Sequence, residues 1–208
     1  MKIIGVNGSP RAEGNTYHVI GAFFEELHKG GIETELLHVG NNTMQGCVAC
    51  SGCVATGECA FHDELFREYT EKLVAADGVL LAAPAYFGTM PGQTKSFLDR
   101  FFYQCVQTGR MRLKVGGSLS IVRRAGGNTT LDDLNRYFIS AEMIIATSAG
   151  QAVIHGHEPG EVLQDSEGLG NARRLARNMT WLLKMKEATK EELALPPYEK
   201  KKYLNFIR

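Results

Sequence analysis

The sequence has no excess of charge of either sign, because 23 lysine and arginine residues balance 23 aspartate and glutamate residues. This balance argues against a protein that binds nucleic acid or an anionic membrane through its net charge. The chain also lacks an apolar run of about 18 residues, the length expected of a membrane-spanning helix. Its N-terminus shows no signal-peptide pattern, so we expect a cytoplasmic protein with reduced cysteines.

Motifs of common catalytic and nucleotide sites are also missing. No Ser/His/Asp arrangement or pair of carboxylates stands out, so we predict no catalytic side chain. The first glycine-bearing loop fits neither G-x-G-x-x-G nor G-x4-G-K-S/T. This mismatch argues against the usual dinucleotide and NTP loops.

The pattern of apolar residues predicts a single α/β domain. Hydrophobic residues make up 44% of the 208 residues and charged residues 22%, which is ordinary for a globular chain. Buried parallel strands are predicted at Lys2–Asn7, Gly78–Ala83 and Val115–Val122, and two more at Gly31–Val39 and Met143–Ala146. Helices are predicted between and after them, near residues 15–29, 63–76, 93–102, 130–141 and 169–186.

Alternation of strands and helices predicts a doubly wound five-stranded parallel sheet with helices on both faces. We expect one domain over residues 1–190, with a cysteine-rich loop at 46–60 and a C-terminal tail at 191–208. Residues 150–168 contain Gly, Pro and His and are predicted to be a loose loop.

The loop between the first strand and the first helix is a candidate phosphate site. Backbone N–H groups and a helix N-terminus attract an anion, the hydroxyls of Ser9 and Thr16 add hydrogen bonds, and Arg11 adds a fork of donors. The alternative is that Asn15 or Thr16 only caps the helix and that Arg11 is solvated.

Two further glycine-bearing loops follow the third and fourth strands, at residues 84–92 and 123–128. In the flavodoxin-like strand order these three loops adjoin one another around the site where FMN binds. Tyr86 and Phe87, in the second loop, are either flavin-contacting aromatics or ordinary core residues.

Four of the five cysteines, Cys47, Cys50, Cys53 and Cys59, are spaced C-x2-C-x2-C-x5-C. The first three match the ferredoxin-type pattern of an iron–sulfur cluster, whereas zinc ligand pairs are usually further apart. Zinc or another metal, disulfides and no metal at all remain alternatives at this point. Cys105 stands alone near an apolar helix and is expected to pack in the core.

Taken together, the segments Gly8–Thr16 and Pro84–Pro91 and the compact cysteine motif give the chain a family resemblance over roughly residues 1–150. It resembles the NADPH-dependent FMN reductase-like flavoproteins, and among them the iron–sulfur flavoproteins of anaerobic archaea and bacteria. The resemblance implies a flavodoxin-like fold, non-covalently bound FMN, and a 4Fe–4S cluster on the four cysteines. It also implies a homo-oligomer, a dimer or tetramer, in which one subunit's cluster approaches a neighbour's flavin.

The resemblance also implies roles for individual residues. Phosphate contacts fall on Ser9, Arg11, Asn15 and Thr16. Contacts to the isoalloxazine ring fall on the second and third loops, at Pro84, Ala85, Tyr86, Phe87, Gly88, Gly126 and Gly127.

The function that this resemblance implies is electron transfer by an FMN-dependent oxidoreductase. A ferredoxin-like protein or NAD(P)H would supply electrons, and oxygen, peroxide or a quinone would accept them. One alternative is a clusterless NAD(P)H-dependent FMN, quinone or azo-dye reductase. Another is a non-catalytic module with structural zinc and a different phosphate ligand.

Overall fold

A parallel β-sheet forms the centre of the chain in the computed structural model, which describes residues 1–199 and residue 204. Its strand order is β2-β1-β3-β4-β5, with β6 paired to β4. This is the flavodoxin-like order, so the predicted fold class is confirmed. The strands are β1 (Lys2–Asn7), β2 (Glu33–His38), β3 (Gly78–Pro84), β4 (Val115–Val122), β5 (Ile144–Ile145) and β6 (Val153–His155).

Six α-helices are present among the described residues, and the longer ones cover both faces of the sheet. They are α1 (Asn15–Lys29), α2 (Gly52–Thr56), α3 (Glu64–Ala75), α4 (Gly92–Thr108), α5 (Gly127–Ser140) and α6 (Ser166–Thr189). A hydrophobic core lies on each face of the sheet, and neighbouring strand residues point into different cores. Ile3 packs with α1 and α6 on one face, and Ile4 packs with α3, α4 and α5 on the other. Because both faces are buried, these strands are continuous apolar runs.

The edge of the sheet beside β4 is formed by two short strands. β5 pairs with the start of β4 and β6 with its end, at Ser120–Val122. The prediction of a loose loop over residues 150–168 was therefore wrong, since this segment contains β6, a 3-10 helix at Glu161–Gln164 and the start of α6. A strand of three residues is too short to show a period in the sequence.

Helix α4 is longer than predicted. It continues to Thr108 rather than ending near residue 102, and its buried face includes Arg100 and Gln104. Polar residues on a buried face weaken the apolar pattern from which the sequence predicts helix length.

The C-terminal region follows α6, and the domain boundary after residue 190 stays a prediction. Arg112 donates hydrogen bonds to the carbonyl oxygens of Pro196 (2.8 Å) and Pro197 (3.3 Å), so part of the predicted tail contacts the domain. Tail residues 200–203 and 205–208 lie outside the described residues. No helix in the described part of the chain has the length and apolar composition needed to cross a membrane.

Candidate functional site

The loops after β1, β3 and β4 meet at the carboxyl edge of the sheet. The Gly8 N–H donates to the Ala82 carbonyl oxygen (2.8 Å), which joins the first loop to β3. The Ala85 N–H donates to the Ile121 carbonyl oxygen (2.8 Å), which joins the second loop to β4. A Cβ atom on Gly126 would lie 2.8 Å from the Cα of Gly88, so the second and third loops are in close contact.

The first loop is shaped by its own polar side chains and by neighbouring elements. Buried Asn7 accepts a hydrogen bond from the Ser9 N–H (3.0 Å), and the Ser9 hydroxyl accepts one from the Arg11 N–H (3.1 Å). The His38 ring bonds the Ser9 carbonyl oxygen (2.7 Å), and the Thr94 hydroxyl donates to the Gly8 carbonyl oxygen (2.7 Å). The loop is therefore held in place from within and from both sides.

The N-terminus of α1 has no side-chain cap. Its capping residue is Gly14, and neither Asn15 nor Thr16 caps it, in contrast to the capping alternative. The first N–H groups of a helix have no intrahelical partner and attract anions. Ser9 and Thr16 are buried beside this end of the helix, and the side chain of Arg11 is exposed.

Asn15 makes a long-range contact that the sequence did not predict. Its side-chain oxygen accepts a hydrogen bond from the Gly160 N–H (2.8 Å), which ties the segment after β6 to the start of α1. Nothing local marks this pair, because the two residues are 145 positions apart.

The second loop turns tightly at Phe87. Tyr86 and Thr89 exchange backbone hydrogen bonds of 2.7 and 3.2 Å, and both central residues have positive φ, 51° at Phe87 and 84° at Gly88. Positive φ is uncommon for a residue as bulky as Phe. The Phe87 side chain is fully exposed and that of Tyr86 is 44% exposed, so the structure places neither in the core.

The structure requires glycine at both Gly126 and Gly127 in the third loop. Gly126 adopts a φ of 88° as the residue before α5, a conformation that L side chains rarely adopt. A Cβ on Gly127 would collide with the side chain of Val153.

The cysteine segment follows β2 and lies beside α4. Cys47 and Cys50 are exposed, Cys59 is half-buried and Cys53 is buried, and all four are free thiols. They line one small cavity together with Arg100 and Tyr103. Burial raises the pKa of the Cys53 thiol. Among the residues that the structure describes, no three His, Cys, Asp or Glu side chains are placed to hold a single metal ion.

The backbone of this segment is strained. Ala49 (φ 53°) and Ser51 (φ 62°) adopt the left-handed conformation without being glycine, and each such residue costs of order 1 kcal/mol or more. Gly57 (φ 76°) ends α2 in the same region, where a glycine is favoured.

Arg100 is a residue of this cavity that the sequence did not predict. Its side chain is 1% exposed and forms an ion pair with Asp63 (3.2 Å). The signal in the sequence was slight: a lone arginine between Phe97 and Phe101 on the apolar face of a helix. Cys105 is 1% exposed, as expected of a core thiol, and burial raises its pKa to about 12.

The family model described as NADPH-dependent FMN reductase matches residues 1–158 of this chain. The chain belongs to this family. It is therefore a flavin-dependent oxidoreductase, and the prediction of FMN as a cofactor is confirmed. The flavodoxin-like strand order agrees with this membership.

Curated relatives confirm the narrower resemblance. An iron–sulfur flavoprotein of Methanocaldococcus jannaschii is 32% identical over 195 residues, which cover 89% of this chain and 98% of that protein. One of Archaeoglobus fulgidus is 31% identical over 199 residues, which cover 94% of this chain and 87% of the relative. The chain thus groups with proteins named iron–sulfur flavoproteins.

Solved structures support the fold. RosB, solved with the bound intermediate 8-demethyl-8-formylriboflavin-5'-phosphate, superposes with a TM-score of 0.71 at 17% identity. The match covers 100% of this chain and 95% of RosB. At this identity the likeness concerns the fold alone.

Proposed function

We propose that this chain transfers electrons between FMN at the carboxyl edge of the sheet and a 4Fe–4S cluster on Cys47, Cys50, Cys53 and Cys59. The observation that carries the proposal is the cavity that the four cysteines share. This cavity lies against α4, the helix that also contacts the first loop (Gly8–Gly14, the phosphate loop) through Thr94. FMN accepts two electrons and releases them singly, whereas a 4Fe–4S cluster carries one at a time.

The phosphate of FMN would be held by the first loop. The uncapped N-terminus of α1 supports this role because its unpaired N–H groups suit a doubly charged anion. The hydroxyls of Ser9 and Thr16 and the amide of Asn15 would add hydrogen bonds, and exposed Arg11 would close over the phosphate from solvent.

The ring system would lie against the second and third loops. The rings of Tyr86 and Phe87 support this role, because they are adjacent, exposed and located in a strand-end loop, where they are free to stack on a planar ligand. The ring would contact Pro84, Ala85 and Gly88 on the second loop and Gly126 and Gly127 on the third, two loops that meet at Gly88 and Gly126.

The chemistry and placement of the cysteines suit a cluster better than a single ion. All four thiols line one cavity, and the first three have the C-x2-C-x2-C spacing of ferredoxin-type clusters, whereas zinc ligand pairs are usually further apart in the sequence. A cluster spreads its thiolates over separate iron atoms, which suits this arrangement.

Helix α4 links the two regions. Thr94 in its first turn bonds the phosphate loop, and Tyr103 lines the cysteine cavity nine residues later, about 14 Å along the axis. Cys47 and Cys50 lie at the surface, which suits electron exchange with a ferredoxin-like donor or with a neighbouring copy in a dimer or tetramer.

Anaerobic reconstitution tests this proposal. Wild type should contain four iron and four sulfide per chain (the composition of the proposed cluster) and one FMN. Replacing any of the four cysteines with Ala should remove or degrade the cluster and leave FMN bound. Cys105→Ala is the matched control and should keep both cofactors. Reconstituted wild type without iron, or equal iron loss from Cys105→Ala, would contradict the cluster.

A clusterless reductase that takes hydride from NAD(P)H is the second candidate, and the description of the family model favours it. Iron-free protein that oxidises NADPH at the same rate as the iron-loaded protein would support this candidate. Cytoplasmic localisation, the oligomeric state and the acceptor (oxygen, peroxide or a quinone) stay predictions.

A further inference from the structure

We propose that Arg100 is the positioning residue of the cysteine site: it closes the base of the cysteine segment and directs an N–H group at whatever the four cysteines bind. This inference rests on the proposed function, because the group concerned is the proposed cluster. Nothing in the sequence pattern assigns Arg100 a role.

Arg100 joins the two ends of the cysteine segment. One terminal nitrogen of its guanidinium (Nη1) donates to the carbonyl oxygen of Gln45 (3.4 Å), two residues before Cys47. The other (Nη2) donates to the carbonyl oxygen of Phe61 (3.4 Å), two residues after Cys59. A single side chain on α4 therefore bonds the residues that flank the cysteine segment on both sides.

The guanidinium is fixed by contacts on several sides. Asp63, which also caps α3, pairs with Nη1 at 3.2 Å. The central carbon of the guanidinium lies 3.9 Å from the centre of the Phe66 ring and 5.5 Å from that of Phe61. Burial and this stacking leave the side chain little freedom, so the direction of its Nε–H group is set before any ligand binds.

One nitrogen atom of Arg100, Nε, is left without a hydrogen-bond partner among the described residues. Among the described residues, the buried Nε–H group finds no acceptor on any protein atom. Arg100 also lines the cavity that the four cysteines share. A buried N–H group of a cation is costly to leave unpaired. An acceptor in the cavity, such as a cysteine thiolate or a cluster sulfide, would satisfy it.

The charge of Arg100 predicts a measurable effect on the cluster. Adding an electron makes a thiolate-bound cluster more negative, so a buried cation at its side stabilises the reduced form. Hydrogen bonds to the sulfurs and the net charge nearby are both known to set cluster potentials. Removing Arg100 should therefore make the cluster harder to reduce.

Three variants separate this effect from general loosening of the segment. Arg100→Gln removes the charge and the Nε–H group, and Arg100→Lys keeps the charge but not the fork. Arg110→Gln is the matched control: Arg110 also holds the segment, through the Gly57 carbonyl oxygen (2.7 Å), but is not among the residues lining the cysteine cavity. Bound FMN reports the fold of each variant.

The measurement is an anaerobic redox titration of the cluster followed by EPR, with iron counted per chain. Arg100→Gln should shift the one-electron equilibrium toward the oxidised cluster about tenfold, which is a fall of about 59 mV. The cluster potential should fall less in Arg100→Lys, and in Arg110→Gln it should equal that of wild type. Loss of iron from both Arg100 variants alone, with FMN still bound, would also support the proposal.

Two results would overturn the inference. One is an unchanged potential in Arg100→Gln, or in Arg100→Lys if the Gln variant does not fold. The other is an equal change in Arg110→Gln. In both cases wild type still holds its cluster, so the proposed function survives. Wild type that takes up no iron would instead remove both proposals.

Discussion

The proposed flavin site and the cysteine segment are built in different ways. The former, called the flavin edge below, consists of the loops after β1, β3 and β4, and the latter of residues 46–60. Each of the three loops leaves a buried strand, and the first two are bonded to the neighbouring strand, as from the Gly8 N–H to the Ala82 carbonyl oxygen of β3 and from the Ala85 N–H to the Ile121 carbonyl oxygen of β4. The cysteine segment lies in the long connection between β2 and α3 and is largely exposed, and its backbone is strained at Ala49 and Ser51. Two arginines, Arg100 and Arg110, reach it from α4 and from the turn that follows α4.

This difference teaches that the fold alone prepares one site and not the other. Backbone bonds at the strand ends hold the first two loops without a ligand, and among the non-glycine residues of the three loops only Phe87, at the tip of the second, shares the positive φ seen at Ala49 and Ser51. Strained, exposed segments persist only when something else fixes them. We therefore expect the cysteine segment to depend on its ligand and the flavin edge to be independent of it.

Removal of iron should give the largest effect. In chelated, anaerobic protein that keeps its FMN, amide hydrogen exchange over residues 46–60 should rise by about 100-fold or more, because binding of a metal group supplies local folding energy. Exchange in β1 and β3 should not change. Equal protection of residues 46–60 with and without iron would erase the contrast between the two regions.

A methyl group at Gly40 should break the flavin edge instead. A Cβ there would collide with the backbone of Ser9 and Gly8, so Gly40→Ala should lower the free energy of unfolding by about 1–3 kcal/mol and weaken FMN binding. Chemical denaturation and FMN titration of the apoprotein measure the two effects.

The matched control for Gly40→Ala is Gly21→Ala. Gly21 lies on the exposed face of α1, and no atom lies within 4 Å of the place that a Cβ would take, so alanine should raise stability by about 0.5–1 kcal/mol. If Gly40→Ala were as stable as this control, the first loop would not be held as tightly as its contacts indicate.

The same contrast explains what the sequence could predict. Strands β1 and β4 were predicted to the residue, because strands buried on both faces are continuous apolar runs. Their order then placed three glycine-bearing loops together. β6 was missed because three residues carry no period, and α4 was predicted too short because Gln104 is polar yet buried.

Contacts between distant residues were beyond prediction. Arg100 meets Phe61 and Gln45 from 39 and 55 positions away, and Asn15 meets Gly160 from 145. Spacing along the chain gives no sign of such pairs, since they depend on how the elements pack. The motif could therefore name the four cysteines but not the side chain that holds their segment.

Loss of Arg11 should have a smaller effect, confined to the flavin edge. Arg11→Ala should weaken FMN binding about tenfold, because a charge-assisted phosphate contact contributes about 1.5–3 kcal/mol. Stability of the apoprotein should not change, since the Arg11 side chain is exposed. Titration of FMN into apoprotein gives the affinity.

Lys184→Ala is the control for this charge, because Lys184 is exposed late in α6. The nearby Lys186 bonds the Leu113 carbonyl oxygen just before β4, at the opposite edge of the sheet. An Arg11→Ala affinity equal to that of Lys184→Ala would remove Arg11 from the phosphate site.

A substitution at Phe87, like that at Arg11, should hardly change the stability of the apoprotein. Its ring is fully exposed and its φ is positive, so Phe87→Ala removes no buried contact and should leave the melting temperature of the apoprotein within about 1 °C, as for surface substitutions. The flavin absorption spectrum of the loaded protein should nevertheless shift, because the ring of Phe87 is proposed to contact the flavin.

Phe97→Ala is the contrasting control, since loss of that fully buried ring should lower the free energy of unfolding by about 3–5 kcal/mol. An unaltered flavin spectrum in Phe87→Ala would show that the second loop does not contact the ring through this residue, and would leave Tyr86 as its aromatic contact.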